Sequence, residues 1–323
     1  MTSVRAVLVE SNGGPEVLAV RDVEAPTPGT GQLLVQVAAA GVNYMDTYQR
    51  EGVYQVPTPF VLGSEGAGRV LAVGEGVQDV AVGDRVAWSQ AQGSYAEQVL
   101  VPAEKAVPVP DGVGDDVAAA VLLQGLTAHY LVTSTYAMSE GDPVLVHAAA
   151  GGVGLLLVQL AKARGARVLA TVGSEEKAVL AREAGADEVL GYDGFAGRVR
   201  ELTGGQGVAV VYDGVGRDTF DGSLAALRRR GLLVLFGAAS GQVPPLELQR
   251  LNTGGSLFVT RPTLGDYVAT REELLWRAGE LFGAVASGQL DVRIGGRYPL
   301  AEAARAHRDL EGRRTTGKLL LTP

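Results

Sequence analysis

A doubly wound α/β fold preceded by a smaller all-β module is the architecture this sequence predicts, on three observations. From about residue 116 onward, unbroken apolar runs alternate with helical stretches, the pattern of parallel strands covered by helices on both faces. Before that point the chain is cut into short apolar segments by Gly, Pro and Asp clusters. Third, in "HAAAGGVGLLLVQLAKARGARV" at 147–168 an apolar run feeds a glycine turn, and the turn feeds an amphipathic run.

In chain order, "VRAVLVE", "LLVQVAAAG", "GRVLAVG" and "DRVAW" are read as strands of the first module, which is expected to be barrel-like, with "APTPGTG" and "AVGD" as turns. "PVLVHA", "ARVLATV", "GVAVVYD", "GLLVLFG" and "SLFVT" lack polar alternation and are read as the parallel strands. Between them, "GLLLVQLAKARGA" and "EEKAVLAREAGA" each end in a Gly-Ala that can cap a helix. After Pro262 come an amphipathic helix, "TREELLWRAGELFGAVASG", and a last strand, "GKLLLTP", which can return to the first module. The expected division is 1–122, 123–264 and a C-terminal segment 265–323 that rejoins the first domain.

Composition works by exclusion. A chain of 323 residues predicts two domains of ordinary size. Its formal charge of −8 argues against a general nucleic-acid surface, and the arginine runs at 228–230 and 313–314 are read as solvated faces. Without cysteine there is no disulfide, thiolate nucleophile or cysteine-ligated metal. "MTSVRAVLVE" lacks the regions of a signal peptide, so a cytoplasmic protein is expected. The nearly uncharged 143–160 stretch is long enough for a membrane span, but its glycines, His147 and Gln159 fit a buried strand, turn and helix better.

A dinucleotide turn needs a tight bend, a residue without a side chain where backbone meets the diphosphate, and a close helix–strand contact. Ala149, Gly151 and Gly154 fall at those spacings, with Ala in place of the first Gly. The helix beginning near Gly152 would turn its unpaired N–H groups and positive dipole end to the anion. An enzyme for the unphosphorylated dinucleotide usually carries Asp or Glu at the end of the next strand. Here that strand ends Val172-Gly173-Ser174 with Lys177 one turn later, a set suited to a 2′-phosphate, although Glu175 and Glu176 intervene.

The motifs "GGPEVL" (13–18), "GVNYMDTYQREGVY" (41–54), "LGSEGAGRV" (62–70), "GDRVAW" (83–88), "QGLTAHYL" (124–131), "HAAAGGVG" (147–154), "VVYDGVG" (210–216) and "VTRP" (259–262) span nearly the whole chain. Together they resemble the medium-chain dehydrogenase/reductases, in particular their zinc-independent quinone oxidoreductase branch, related to zeta-crystallin. Zinc-dependent members carry Cys where this chain has Asn43, and Gly-His-Glu where it has Gly63-Ser64-Glu65. No metal is therefore expected, and His129, His147 and His307 lack ligand spacing.

The resemblance implies a Rossmann domain and an N-terminal GroES-like domain, with NADPH in the cleft between them. Asn43, Tyr44, Met45, Asp46, Thr47, Tyr48 and Tyr130 would then line the nicotinamide end, while Gly152 and Val153 meet the diphosphate. Gly173, Ser174, Lys177, Tyr192 and Arg313 would surround the 2′-phosphate. Gly214, Phe236, Gly237, Ala238, Ala239, Pro262, Thr263 and Leu264 would line the rest of the groove. At Gly214 and Ala238 the family has other residues, so only backbone contacts are expected there. Asn43 and Tyr48 are the expected donors to developing negative charge, with Tyr54 at the substrate mouth.

The implied activity is NADPH-dependent quinone reduction with a small-molecule acceptor, in a homodimer joined through the apolar edge "SLFVT" and without nucleic acid or membrane. Two alternatives stand beside it. One is an enoyl-thioester or enone reductase with Tyr48 as acid. The other is a nucleotide-binding structural or RNA-binding protein.

Overall fold

The computed structural model describes residues 3–323 and divides the chain into two compact units, one ending at Gln124 and resuming at Ala269–Pro323, the other Gly125–Val268. The first contains strands β1 (Ser3–Val9), β2 (Leu18–Glu24), β3 (Gln32–Val42), β4 (Phe60–Val61), β5 (Glu65–Val73), β6 (Arg85–Trp88), β7 (Gln98–Pro102) and β8 (Val107–Pro108), with helix α1 (Tyr44–Arg50) directly after β3. Helix α2 (Asp115–Tyr130) contains the division between the units. With a π turn to Thr135 it is long and apolar enough to cross a membrane, but most of it is buried inside the protein.

The second unit alternates strand and helix: β9 (Pro143–Val146), α3 (Gly152–Ala163), β10 (Arg167–Thr171), α4 (Glu175–Glu183), β11 (Glu188–Leu190), α5 (Phe195–Leu202), β12 (Val208–Asp213), α6 (Phe220–Ala226), β13 (Leu227–Leu235), α7 (Gln249–Thr253), β14 (Phe258–Thr260) and α8 (Leu264–Tyr267). Its strands are all parallel, in the order β11-β10-β9-β12-β13-β14. This is the doubly wound Rossmann order, whose switch point lies between β9 and β12. The Gly-Ala endings cap as their chemistry requires. Gly165 and Gly185 take left-handed φ of 78° and 106°, and the N–H of Ala166 returns to Ala161 as that of Ala186 does to Ala181. Strand β12 is buried along its whole length, which explains its lack of polar alternation.

The chain then enters the first unit again through α9 (Arg271–Ala286), β15 (Ile294–Pro299), α10 (Ala303–Glu311) and β16 (Lys318–Thr322). The N-cap Thr270 and Glu273 exchange hydrogen bonds in a capping box at the start of α9. The final strand pairs antiparallel with β3, Leu319 opposite Val42, and completes a sheet ordered β15-β16-β3-β5-β6-β8, with β7 also on β3. That pairing sets Lys318 beside the start of α1. Trp88, Tyr95, Leu33, Leu62 and Leu319 belong to the core of this GroES-like unit, and Leu145, Leu169, Val211 and Leu233 to that of the other.

Candidate functional site

In the second unit the residues singled out from sequence gather at the carboxyl ends of the six parallel strands, where open α/β sheets bind their ligands. After β9 the chain turns through Ala148, at φ 51°, to Gly151, whose N–H bonds back to Ala148 O at 2.9 Å. Gly151 caps α3. The first-turn N–H groups at Gly152 and Val153 have no carbonyl within the helix to bond, and no acidic residue occupies that turn. Gly154 has no room for a side chain, because a Cβ would strike Ala148 O and lie 2.8 Å from the Ala149 Cα. The cradle thus has the close helix–strand approach that a diphosphate turn needs.

At the end of β10, Gly173 opens onto free space and Ser174 caps α4, its Oγ accepting the Lys177 N–H at 3.4 Å. Lys177 is half-buried and Glu176 exposed. Of the two glutamates that intervene in the sequence, Glu175 pairs through its carboxylate with Arg182 at 2.7 Å on the helix surface. Beyond β11, the Tyr192 hydroxyl accepts the Ala148 N–H at 3.2 Å. The Phe236 ring occupies the space above Gly214, and a Cβ on Gly237 would come 2.6 Å from Gly214 O, so the loops after β12 and β13 meet backbone to backbone. Ala239 and Ala238 continue that loop, and Pro262, Thr263 and Leu264 follow β14. The ring of Tyr130 stacks on Tyr267 with centroids 4.1 Å apart.

Beneath these loops lies a network that the sequence did not signal. Asp213 is fully buried. Its Oδ1 accepts the N–H of Val215 and Gly216 at 2.9 Å and the Thr219 hydroxyl, and its Oδ2 accepts Ser223 Oγ at 2.8 Å. Because the Ser223 proton goes to Asp213, its oxygen must accept from His147 Nε2, 2.9 Å away, which leaves His147 Nδ1 to accept from Thr171 Oγ1 at 2.7 Å. Burial pushes His147 down to about 4, so it is a neutral strut joining the ends of β9, β10 and α6.

In the first unit α1 presents Tyr44 and Tyr48, with ring centroids 6.4 Å apart, and Tyr54 packs edge-on against Tyr48 at 5.4 Å. Tyr54 is exposed, while Met45 is half-buried. Arg313 also belongs to this unit, next to Tyr44, whose hydroxyl donates to Leu310 O at 3.1 Å. Thr47 and Asp46 are buried and turn inward. Thr47 Oγ1 donates to Tyr44 O at 2.7 Å, and Asp46 Oδ2 accepts the Asn43 N–H at 2.8 Å and the Tyr95 hydroxyl at 2.9 Å. Neither side chain is therefore free to line a ligand groove.

Asn43 departs from its expected role in the same way. Its Nδ2 donates to Glu65 Oε2 at 2.9 Å and toward Gly41 O, and its Oδ1 accepts from Lys318 Nζ at 2.7 Å. Lys318 and Glu65 form a fully buried ion pair, and Glu65 Oε1 also accepts the Leu123 N–H at 2.6 Å. With its amide held at both ends, Asn43 is a fixed support rather than a free donor. The missed signal was a lone lysine in the apolar run "GKLLLTP".

Behind Asp46, the Tyr95 hydroxyl lies 3.2 Å from His307 Nε2, and His307 Nδ1 lies 3.0 Å from Arg50 Nη1. Arg50, buried and paired with Glu311 and Glu51, can only donate, so His307 carries its proton on Nε2. Desolvation, reinforced by Arg50, pushes His307 down to about 3. Burial raises Asp46 to about 7 against the pull of its two donors and Lys318, and its Oδ1 has no hydrogen-bond partner.

No group of three or more His, Cys, Asp or Glu side chains able to hold a metal occurs among the described residues. At the position where zinc-dependent relatives bind metal, the Lys318 ammonium already neutralises Glu65 and would repel a divalent cation.

Comparison with known proteins agrees with this architecture. Residues 29–111 match the alcohol dehydrogenase GroES-like domain, and 152–274 match the zinc-binding dehydrogenase family. The chain is 50% identical over 315 residues to a quinone oxidoreductase of Pseudomonas aeruginosa, covering 96% of this chain and 97% of the relative. It is 42% identical over 330 residues to a 2-haloacrylate reductase of a Burkholderia species, covering 99% of each. A mycobacterial protein whose structure was solved in complex with NADPH superposes with a TM-score of 0.97 at 55% identity, over 99% of this chain and 100% of that one.

Proposed function

The chain belongs to the quinone oxidoreductase family of the medium-chain dehydrogenase/reductases, and on that premise we propose that it reduces quinones with NADPH and without metal. Its full-length identity to a quinone oxidoreductase carries the reading, and the side-chain-free cradle at Gly151, Gly152 and Gly154 supports it. The Gly152 and Val153 N–H groups hold the diphosphate, while Ser174, Lys177 and Tyr192 hold the 2′-phosphate. The bound nicotinamide supplies the hydride. Asn43 fixes the start of α1, Tyr48 donates a hydrogen bond to the oxyanion that develops on the acceptor, and Tyr54 shapes the acceptor's entry. Hydride transfer to a quinone leaves the stabilised phenolate of a hydroquinone, which solvent can protonate, so no strong acid is required.

The similarity to a 2-haloacrylate reductase favours a second reading, reduction of an activated alkene, in which Tyr48 must also protonate carbon. An acceptor screen with NADPH and NADH separates the two. Quinone turnover with NADPH, unaffected by exhaustive chelation, is expected. Preference for NADH, turnover only with activated alkenes, or zinc required for activity overturns the reading.

The assembly we propose is a homodimer in which β14 pairs with its copy. It is an edge strand with Phe258 60% exposed, and an unpaired apolar edge invites pairing. A cysteine-free chain drawing on NADPH suits the cytoplasm.

A further inference from the structure

At the opposite, amino-terminal edge of the second unit's sheet lies a cavity of about 670 Å³ lined by Arg200, Arg228, Arg229, Arg230, Gln206, Gly205 and Gly254. Its origin is a break in strand register. Val208 lies opposite Leu227 but Val210 opposite Leu232, so six residues of β13 span three of β12 and the arginine run is pushed out of the ladder. Arg230 is held in the left-handed region at φ 57°, its N–H bonded to Gly255 O at 2.8 Å. A non-glycine residue there carries a backbone cost.

The four guanidinium groups are not equivalent. Arg200 is locked by bonds to the carbonyls of Ala225, Gly205, Gln206 and Leu227, and Arg228 faces Asp142 and Tyr136. Among the described residues no acidic side chain pairs with Arg229 or Arg230, in a chain whose formal charge is −8. The stem of Arg229 rests on Gly255, where a Cβ would come 3.2 Å from Arg229 Cγ. Two uncompensated planar forks at the rim of a cavity, braced by two committed ones, match the oxygens of a phosphate group.

We propose that this cavity is a second anion site, in which Arg229 and Arg230 bind a small phosphate-bearing anion at the end of the sheet opposite the glycine turn. The limited extent of this arginine cluster and the chain's formal charge of −8 favour a small anion over a nucleic acid, which needs an extended basic face.

The test is titration of inorganic pyrophosphate by calorimetry at constant ionic strength, with NADPH saturating so that the glycine turn does not report. The wild-type protein is compared with an Arg229→Ser/Arg230→Gly variant and with Lys177→Ala. Glycine at 230 accepts the left-handed backbone, so the double variant is expected to fold, and its unliganded thermal midpoint checks this. Saturable binding in the wild-type and Lys177→Ala proteins, at least about tenfold weaker in the double variant, is expected. Citrate should bind more weakly than pyrophosphate. Equal affinity in the double variant, no saturable binding in a wild-type protein, citrate binding as well as pyrophosphate, or preference for a single-stranded oligonucleotide overturns the proposal.

Discussion

The two units contain the same polar motif in different surroundings. In each, a buried neutral histidine donates from Nε2 to a hydroxyl, and the hydroxyl donates to a buried carboxylate: His147, Ser223 and Asp213 in one, His307, Tyr95 and Asp46 in the other. They differ in what else the carboxylate receives. Asp213 also takes two backbone N–H groups and a threonine hydroxyl, whereas Asp46 takes one N–H and keeps one oxygen without a partner. The number of donors aimed at a buried carboxyl group decides how much of its lost hydration is replaced. Asp46 is undersupplied and rises to about 7.

The most disruptive way to probe the first unit is Lys318→Met, which leaves Glu65 buried without its cation and should lower stability by about 3–5 kcal/mol. Chemical denaturation measures this, and adding Glu65→Gln should restore part of the loss. Next comes pH. Relative to unfolded values near 6.5, His147 and His307 are lowered to about 4 and 3, so their contribution is lost as pH falls below 6.5. Asp46 is raised to about 7, so its contribution is present in acid and lost as pH rises toward 7. The two histidines outweigh the one carboxyl between about pH 4 and 6.5, giving a net fall of about 1.4 kcal/mol per pH unit on acidification. Asp46→Asn removes the opposing term and should double that slope, which denaturation midpoints across the range would reveal. An unchanged slope would show that Asp46 keeps an ordinary carboxylate pKa in the folded protein.

On the ligand side of the second unit, Lys177→Ala should weaken NADPH binding by about 10–100-fold, the value of a charge-assisted bond of about 1.5–3 kcal/mol. NADH affinity should barely change, and an equal loss for both cofactors would remove Lys177 from the 2′-phosphate. The smallest effects come from deleting the central hydroxyls. Ser223→Ala and Tyr95→Phe should each cost about 1–2 kcal/mol. The Tyr95 variant should lose more at pH 8 than at pH 5, because its acceptor Asp46 gains charge over that interval.

What the sequence by itself determined is what local chemistry dictates. Unbroken apolar runs specify buried parallel strands, Gly-Ala endings specify left-handed helix caps, and the spacing of Ala149, Gly151 and Gly154 specifies a close strand–turn–helix passage, because each depends on residues within a few positions of one another. Only the tertiary structure decided how the polar groups are spent. Lys318 reaches Asn43 and Glu65 because β16 pairs with β3 across the whole length of the chain, and His307 reaches Tyr95 from α10. Asn43 thus became a clamped support, Asp46 turned inward and Glu175 turned to Arg182. A side chain's chemistry is written at its own position, but its partners come from contacts that loop closure brings together, and those partners determine whether it faces a ligand or the core.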